Sequence, residues 1–418
     1  MPAFSYRHIK GLYPVFWTKS AEMADLIEKD LAARKTSDDN IIQVSDWASR
    51  ATLDMIGLAG MDHDFDSLRD PENELCQTYR RFFNSNPLMA RILLLLSLFF
   101  FDLKLLMKIP IRGNKTAQES HDFIRNVARE MICEKREKME KSKNKDDGND
   151  DTSTQSKDGV DIISVAVRSG TFSEENLIDQ MMTFLAAGHE TTATALQWTI
   201  YALCKHPDVQ ARLREEIRAN LPSVSSGSLE GISATTFESL PYLNAVSNEV
   251  LRFHPSVPAT VRSATRDTTI ADHYIPKGTF LMIAPQVINH SEEFWGPDAG
   301  VFNPERWLDS DPITTSASTP ASSTSPTESS SKGGTTGKRA NNTGGASNNY
   351  AMLTFLQGPR SCIGQGFAKA ELLCMVAAIV GKFHMELAEP DKKLEVRKGA
   401  TIRPEDGVLV RCKALEGW

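Results

Sequence analysis

Near the C-terminus, the ten residues Phe355 to Gly364 place one cysteine between two glycines and two positions after an arginine, just ahead of an apolar helical stretch. A helix N-terminus carries unpaired N–H groups and partial positive charge, so a thiol at its mouth is expected to favour the thiolate. Gly358 and Gly364 would let the backbone approach a flat ligand and take turns that a Cβ forbids. Arg360 would pair with a carboxylate on that ligand. One thiolate, with no second cysteine or histidine at metal-cage spacing, suits the single proximal ligand of a haem iron. The loop by itself leaves a plainer alternative open, a buried structural cysteine in a Gly-Pro turn.

Two further groups carry chemistry. The longest predicted helix runs from a Ser173 cap, with Glu174 and Glu175 in its first turn, to His206-Pro207. One face presents Leu177, Met181, Phe184, Gly188, Thr191, Ala195 and Trp198 in steps of four and three. Gly188 makes a notch there, with Thr191 one turn on and Glu190 beside it, although a core helix with a small residue for close packing has the same spacing. Glu249 and Arg252 stand i,i+3 on a helix stopped by Pro255. As an exposed pair they would contribute only a few tenths of a kcal/mol.

In this order, the segments resemble the cytochrome P-450 family. The loop is similar, without a gap, to the haem-ligand signature Phe-x-x-Gly-x-Arg-x-Cys-x-Gly, with all fixed positions filled. The resemblance implies that Cys362 is the axial ligand of a haem b iron, with Phe355, Gly358 and Gly364 shaping the loop around it. Ala187 to Thr192 is similar to the family's oxygen-side motif. That implies room at Gly188 for dioxygen over the haem and a proton relay through Glu190 and Thr191, with Glu190 refilled from solvent. Glu249-x-x-Arg252 is completed in the family by the arginine of a Pro-Glu-Arg segment, here Pro304-Glu305-Arg306-Trp307, with Trp where Phe is commoner. Glu249, Arg252 and Arg306 are therefore expected to hold loops on the haem side. Pro255 to Arg262 resembles the strand bordering the substrate pocket. That adds Arg262 to Arg360 as a propionate donor and makes Val257, Ala259 and Thr260 pocket walls.

The implied activity is a haem-dependent monooxygenase that inserts one atom of dioxygen into a small apolar organic substrate. No dinucleotide-binding or flavin segment is visible, so electrons are expected from NADPH through a separate flavoprotein reductase. A reductase-independent haem-thiolate isomerase or peroxygenase is a rival that the intact Glu190–Thr191 pair disfavours. The matching starts at Pro2-Ala3-Phe4-Ser5, so the resemblance also implies a fold incomplete at its N-terminus, without a membrane anchor or most of the first sheet. A truncated, non-catalytic or haem-poor product is the second rival. With an anchor, the cytosolic side of the endoplasmic reticulum membrane is the expected location, as for fungal microsomal members.

The scaffold must be helix-rich. The chain has 418 residues, 40% hydrophobic and 24% charged, with a net charge of −7. That acidity argues against a nucleic-acid partner. Six scattered cysteines, with no paired framework, point to free thiols. Periodicity and propensity predict helices over 17–36, 41–60, 72–83, 88–109 and 116–140. Short strands are expected at Thr260-Val261, Thr268 to Ile270 and Thr279 to Ile283, a helix after Cys362, and a closing strand at Val408 to Val410. The fold class is mainly α (α+β), with small sheets, in a single domain over 1–418. Within it, 141–158 reads as a polar linker loop and 309–349 as a disordered Ser/Thr/Gly-rich insertion. The run Ile92 to Phe101 is too short to span a bilayer, and 88–106 is a candidate for peripheral membrane contact.

Overall fold

The computed structural model describes residues 2–34, 40–83, 112–146, 161–309, 341 and 343–418. The predicted helix 88–109, with its candidate membrane face, lies outside them, as do 147–160, 310–340 and 342. Among the described residues no helix is long and apolar enough to cross a membrane.

Thirteen α-helices lie among the described residues, in chain order. They are α1 (Tyr6–Lys10), α2 (Tyr13–Ala33), α3 (Val44–Met61), α4 (Glu74–Phe83), α5 (Arg112–Asp146), α6 (Ile162–Ser169), α7 (Glu174–Lys205), α8 (Pro207–Asn220), α9 (Ala234–Glu238), α10 (Pro241–Phe253), α11 (Pro285–Ile288), α12 (Glu292–Trp295) and α13 (Gln365–Lys382). One hydrophobic core joins residues from Ala3 to Trp418.

Helix α7 starts where the sequence says it should: Ser173 Oγ accepts the Asn176 N–H at 3.3 Å, and Glu174 and Glu175 sit in the positive first turn. It ends where Pro207 opens α8. Helix α13 is apolar on every side and almost wholly buried. It packs on α2, with Phe16 and Phe367 edge to face at 4.9 Å. α13 also packs against α7, and the cysteine loop enters α13 directly.

The strands are short. β1 (Ile41–Gln43), β9 (Leu409–Ala414) and β6 (Phe383–Leu387) form an antiparallel sheet in the order β1-β9-β6. Val410 and Cys412 alternate inward along its central strand. β2 (Thr260–Ser263) pairs with β5 (Phe280–Ile283), β3 (Thr268–Ile270) with β4 (His273–Ile275), and β7 (Val396–Lys398) with β8 (Ile402–Pro404), all antiparallel.

Some boundaries differ from expectation for local reasons. Residues 41–43, read as helix, pair with β9 instead, since Ile41 and Ile42 satisfy a strand edge before Val44 opens α3. α2 begins at Tyr13, where Pro14 occupies the first turn. The polar stretch read as linker from 141 continues α5 as far as Asp146, in keeping with the helix propensity of its lysines. The end of the segment read as a disordered insertion is folded: the Asn341 N–H donates to the Trp307 carbonyl at 2.9 Å, and Asn341 Oδ1 accepts from Gly344 N–H at 2.7 Å.

Candidate active site

The loop ahead of α13 closes on itself. The Cys362 N–H donates to the Phe355 carbonyl at 2.8 Å, and between them Leu356 and Gly358 adopt φ of 58° and 76°. At Gly358 that left-handed turn is the reason for glycine. Gly364 has an ordinary φ of −87°, so no turn demands it; a Cβ there would lie 3.9 Å from Cys362 Sγ. Its use is a bare backbone beside the sulfur. Cys362 lies three residues before the start of α13 and is exposed.

Desolvation raises the thiol pKa of Cys362, and the Gly364 N–H only partly offsets it. The expectation that the helix mouth alone favours thiolate is thus corrected. The sulfur lies outside the first turn, where the dipole is weak, and although the residue is exposed, partial desolvation of the thiol by the surrounding loop outweighs it.

Cys362 opens into a cleft of about 220 Å³. Phe355, Leu356 and Arg360 form the wall beside it, and Thr191, Thr192 and Ala195 of α7 also line the space. Ser256 and Val257 ahead of β2 and Thr260 at its start add to the lining, with Leu251, Pro285 and Leu372 among the rest, while Ala259, predicted as a wall, does not contribute. Arg360 is exposed at this rim and makes no hydrogen bond among the described residues. Arg262 does not line the cleft; its Nη1 folds back on Thr260 Oγ1 at 2.9 Å. A single accessible sulfur, bare backbone beside it, an uncommitted guanidinium at the rim and apolar walls fit a haem.

The α7 motif is brought near this cleft but divided between faces. Thr191 lines the cleft, and its hydroxyl donates to the Ala187 carbonyl at 2.8 Å. Gly188 does not: a Cβ there would come within 2.7 Å of Ile56 Cγ1 in α3. The notch expected over the haem is therefore filled by close packing of α3 on α7. Glu190 is not open to solvent either, being 5% exposed. It accepts from Thr401 Oγ1 at 3.3 Å and from a short contact with Arg403 Nη1. Burial raises its pKa, and Arg403 and Thr401 oppose that rise. Next to it, His189 is fully buried against Tyr79, its pKa lowered to about 4 by desolvation, with Nδ1 2.8 Å from the Leu185 carbonyl.

Glu249 is the centre of a buried node. Its Oε1 accepts from Arg252 Nη2 at 2.8 Å, Arg306 Nε at 3.1 Å and the Asn303 N–H at 2.8 Å. Its Oε2 accepts from Arg252 Nε at 2.8 Å and Trp307 Nε1 at 2.9 Å. Arg252 also donates to the carbonyls of Asn289, Ala299 and Val301. Asn289 in turn ties Thr354 to this frame at 2.8 Å, and Thr354 directly precedes the cysteine loop. The three residues do come together, and they brace the segment that carries Cys362.

Several functional neighbours escaped the sequence reading. Ser256 lines the cleft and donates to the Thr191 carbonyl at 2.9 Å. Thr401 and Arg403 lie more than two hundred residues from Glu190, and no local pattern links them to it. Trp307 was legible as a departure from the family pattern, but its N–H as a donor to Glu249 was not. Glu371 of α13 is fully buried, its pKa pushed well above the carboxylate range by desolvation, with Thr192 its polar neighbour.

A family model described as Cytochrome P450 matches residues 1–410. The chain is 53% identical over 417 residues to cytochrome P450 monooxygenase sphH of Aspergillus fumigatus, covering 100% of this chain and 69% of that protein. It is 41% identical to cytochrome P450 monooxygenase FUM15 of Gibberella moniliformis, over 99% of this chain and 70% of that protein. Against cytochrome P450 monooxygenase FSL4 of Gibberella zeae the identity is 38%, over 100% and 70%.

Proposed function

The chain belongs to the cytochrome P450 family and is a haem-dependent monooxygenase, and from that premise we propose the roles of its own residues, its substrate class and its electron source. Bound haem supplies dioxygen binding and the oxidising chemistry. Cys362 Sγ would hold the iron. Burial raises the free thiol's pKa, so loading the haem would have to displace the Cys362 proton. Arg360 pairs with a propionate from the cleft rim. Arg262 serves as a second donor once it leaves Thr260.

Thr191 holds the proton delivered at the cleft wall. Its hydroxyl turns from the Ala187 carbonyl, and Glu190 recharges it. Apolar walls at Val257, Ala195 and Leu251 exclude water and select a small apolar organic substrate. Electrons come from NADPH through a separate flavoprotein reductase, at the cytosolic face of the endoplasmic reticulum membrane if an N-terminal anchor holds the protein there.

The observation that carries this reading is the accessible Cys362 sulfur in the same cleft as the Thr191 hydroxyl. The test is a carbon monoxide difference spectrum of the reduced, haem-loaded protein. The red-shifted thiolate band is expected, and Cys362→Ser should abolish it while the protein stays folded. A folded wild-type protein that binds haem without that band would refute the assignment.

A further inference from the structure

A second cavity, of about 360 Å³, adjoins the cysteine loop, and none of the roles given above uses it. Phe355 and Leu356 line both this cavity and the cleft, so one stretch of the loop is a wall shared between them. Trp295 and Trp307 line it as well. Their indole N–H groups are committed elsewhere, to the Ala351 carbonyl at 3.1 Å and to Glu249 Oε2 at 2.9 Å, so they offer the cavity only ring surface.

Among the described residues the one charged group in the lining is Lys369 of α13. It is half-buried, and of its three N–H donors one is accounted for, by Asn248 Oδ1 at 3.0 Å. No carboxylate pairs with it among the described residues. Desolvation lowers its pKa, and no anion's charge offsets the fall. A cation left in that condition costs free energy that a bound anion would recover. Asn248 Nδ2 and the Gln365 amide, in the same lining, make no hydrogen bond among the described residues. An ammonium with N–H groups to spare and uncommitted amide donors beside it are the groups that bind a carboxylate.

The lining also says which anion. A single positive charge balances one negative charge, and a dianion would leave one uncompensated. The space is larger than a lone inorganic ion requires and falls among ligand-sized cavities. Apart from Lys369 and the apolar walls, its lining is neutral and polar, with Thr343 and Gln357 among it, which suits hydroxyl groups on the ligand's body.

We propose that this cavity is a second binding site, for a small polar organic monocarboxylate, held by Lys369 and Asn248 and felt at the Cys362 loop through Phe355 and Leu356. Neither Lys369 nor Asn248 lines the cleft, so the site is separate from the one assigned to haem and substrate.

Isothermal titration calorimetry of the full chain with gluconate, a polyhydroxy monocarboxylate, tests it. Sorbitol supplies a similar body without the charge, and inorganic phosphate the charge without the body. Gluconate should bind saturably, one per chain, and sorbitol should not compete with it. Lys369→Met should weaken gluconate by about tenfold or more, and Lys369→Arg should keep most of the affinity. Gluconate should also slow hydrogen exchange across 353–358 in wild type and not in Lys369→Met. Absent gluconate binding, an affinity that Lys369→Met leaves unchanged, or phosphate binding as tightly as gluconate would overturn the site. So would bound gluconate without any change in exchange at 353–358, since the shared wall is part of the proposal. Should Lys369→Met not fold, Lys369→Gln with the same two measurements decides. Both measurements can be made on haem-loaded and haem-free chain, so the outcome stands apart from the monooxygenase reading.

Discussion

Trp307 occupies a position where the family pattern has phenylalanine more often, yet Trp307→Phe should be costly here. Its indole N–H donates to Glu249 Oε2 at 2.9 Å, and Trp307 is 3% exposed. A hydrogen bond to a charged group contributes about 1.5–3 kcal/mol. Oε2 keeps the Arg252 Nε bond at 2.8 Å, which favours the lower end of that range. Shrinking an indole to a phenyl ring beside Trp295 (centroids 5.8 Å apart) leaves a small void costing roughly 1 kcal/mol more. The expected total is about 2–3 kcal/mol, a large part of a stability of about 5–15 kcal/mol. Urea unfolding followed by circular dichroism measures it. Glu249→Gln, which leaves two buried guanidiniums without their shared carboxylate, should cost about 3–5 kcal/mol. The two changes act on one bond, so in the Glu249→Gln background Trp307→Phe should cost at least about 1 kcal/mol less than alone. A loss under about 1 kcal/mol for Trp307→Phe, or strict additivity of the pair, would refute the idea that the indole belongs to the Glu249 node.

Gly188→Ala puts a methyl 2.7 Å from Ile56 Cγ1 and 2.9 Å from Cδ1, so it should destabilise even the haem-free protein by about 1–3 kcal/mol. Ile56→Ala should rescue it; unchanged haem-free stability in Gly188→Ala would return the notch to the haem side. Stability should fall in mild acid. His189 and His254 are buried with pKa lowered to about 4 and about 3, so the unfolded chain takes up protons first. Their contribution is complete above about pH 6.5 and declines below it at about 1.4 kcal/mol per pH unit for each residue. His254→Phe keeps the stack on Trp198, now 4.2 Å between centroids, and should make the urea midpoint less sensitive between pH 6.5 and 4; an unchanged slope would contradict this. Glu371 runs the other way. Its raised pKa means the folded chain holds a proton that the unfolded chain releases above about pH 4.5, so its contribution is lost as pH rises. Glu371→Gln should be neutral near pH 4 and stabilising at pH 8 by urea titration.

The parts of the site carried by contiguous residues were readable, and those built by side chains crossing the fold were not. The cysteine loop is local: a left-handed Gly358, a loop-closing bond from Cys362 to Phe355 and a helix entered at Gln365 all lie within eleven residues. The Ser173 cap and the Pro207 stop bounded α7 because capping and proline chemistry act within one turn. Periodicity could place Gly188 on a face but could not say what faces it, because a notch for a ligand and a notch for Ile56 have the same spacing. Glu190 shows the same limit in charge. Beside Thr191 in sequence, it is 100° round the helix in space, and its partner Arg403 lies on a hairpin that no local pattern connects to α7. An acid–alcohol pair written as neighbours is thus two faces of one helix, one wet by the cleft and one held by the hairpin. What holds Glu190, its contact with Arg403 on β8, therefore lies outside the motif that contains it.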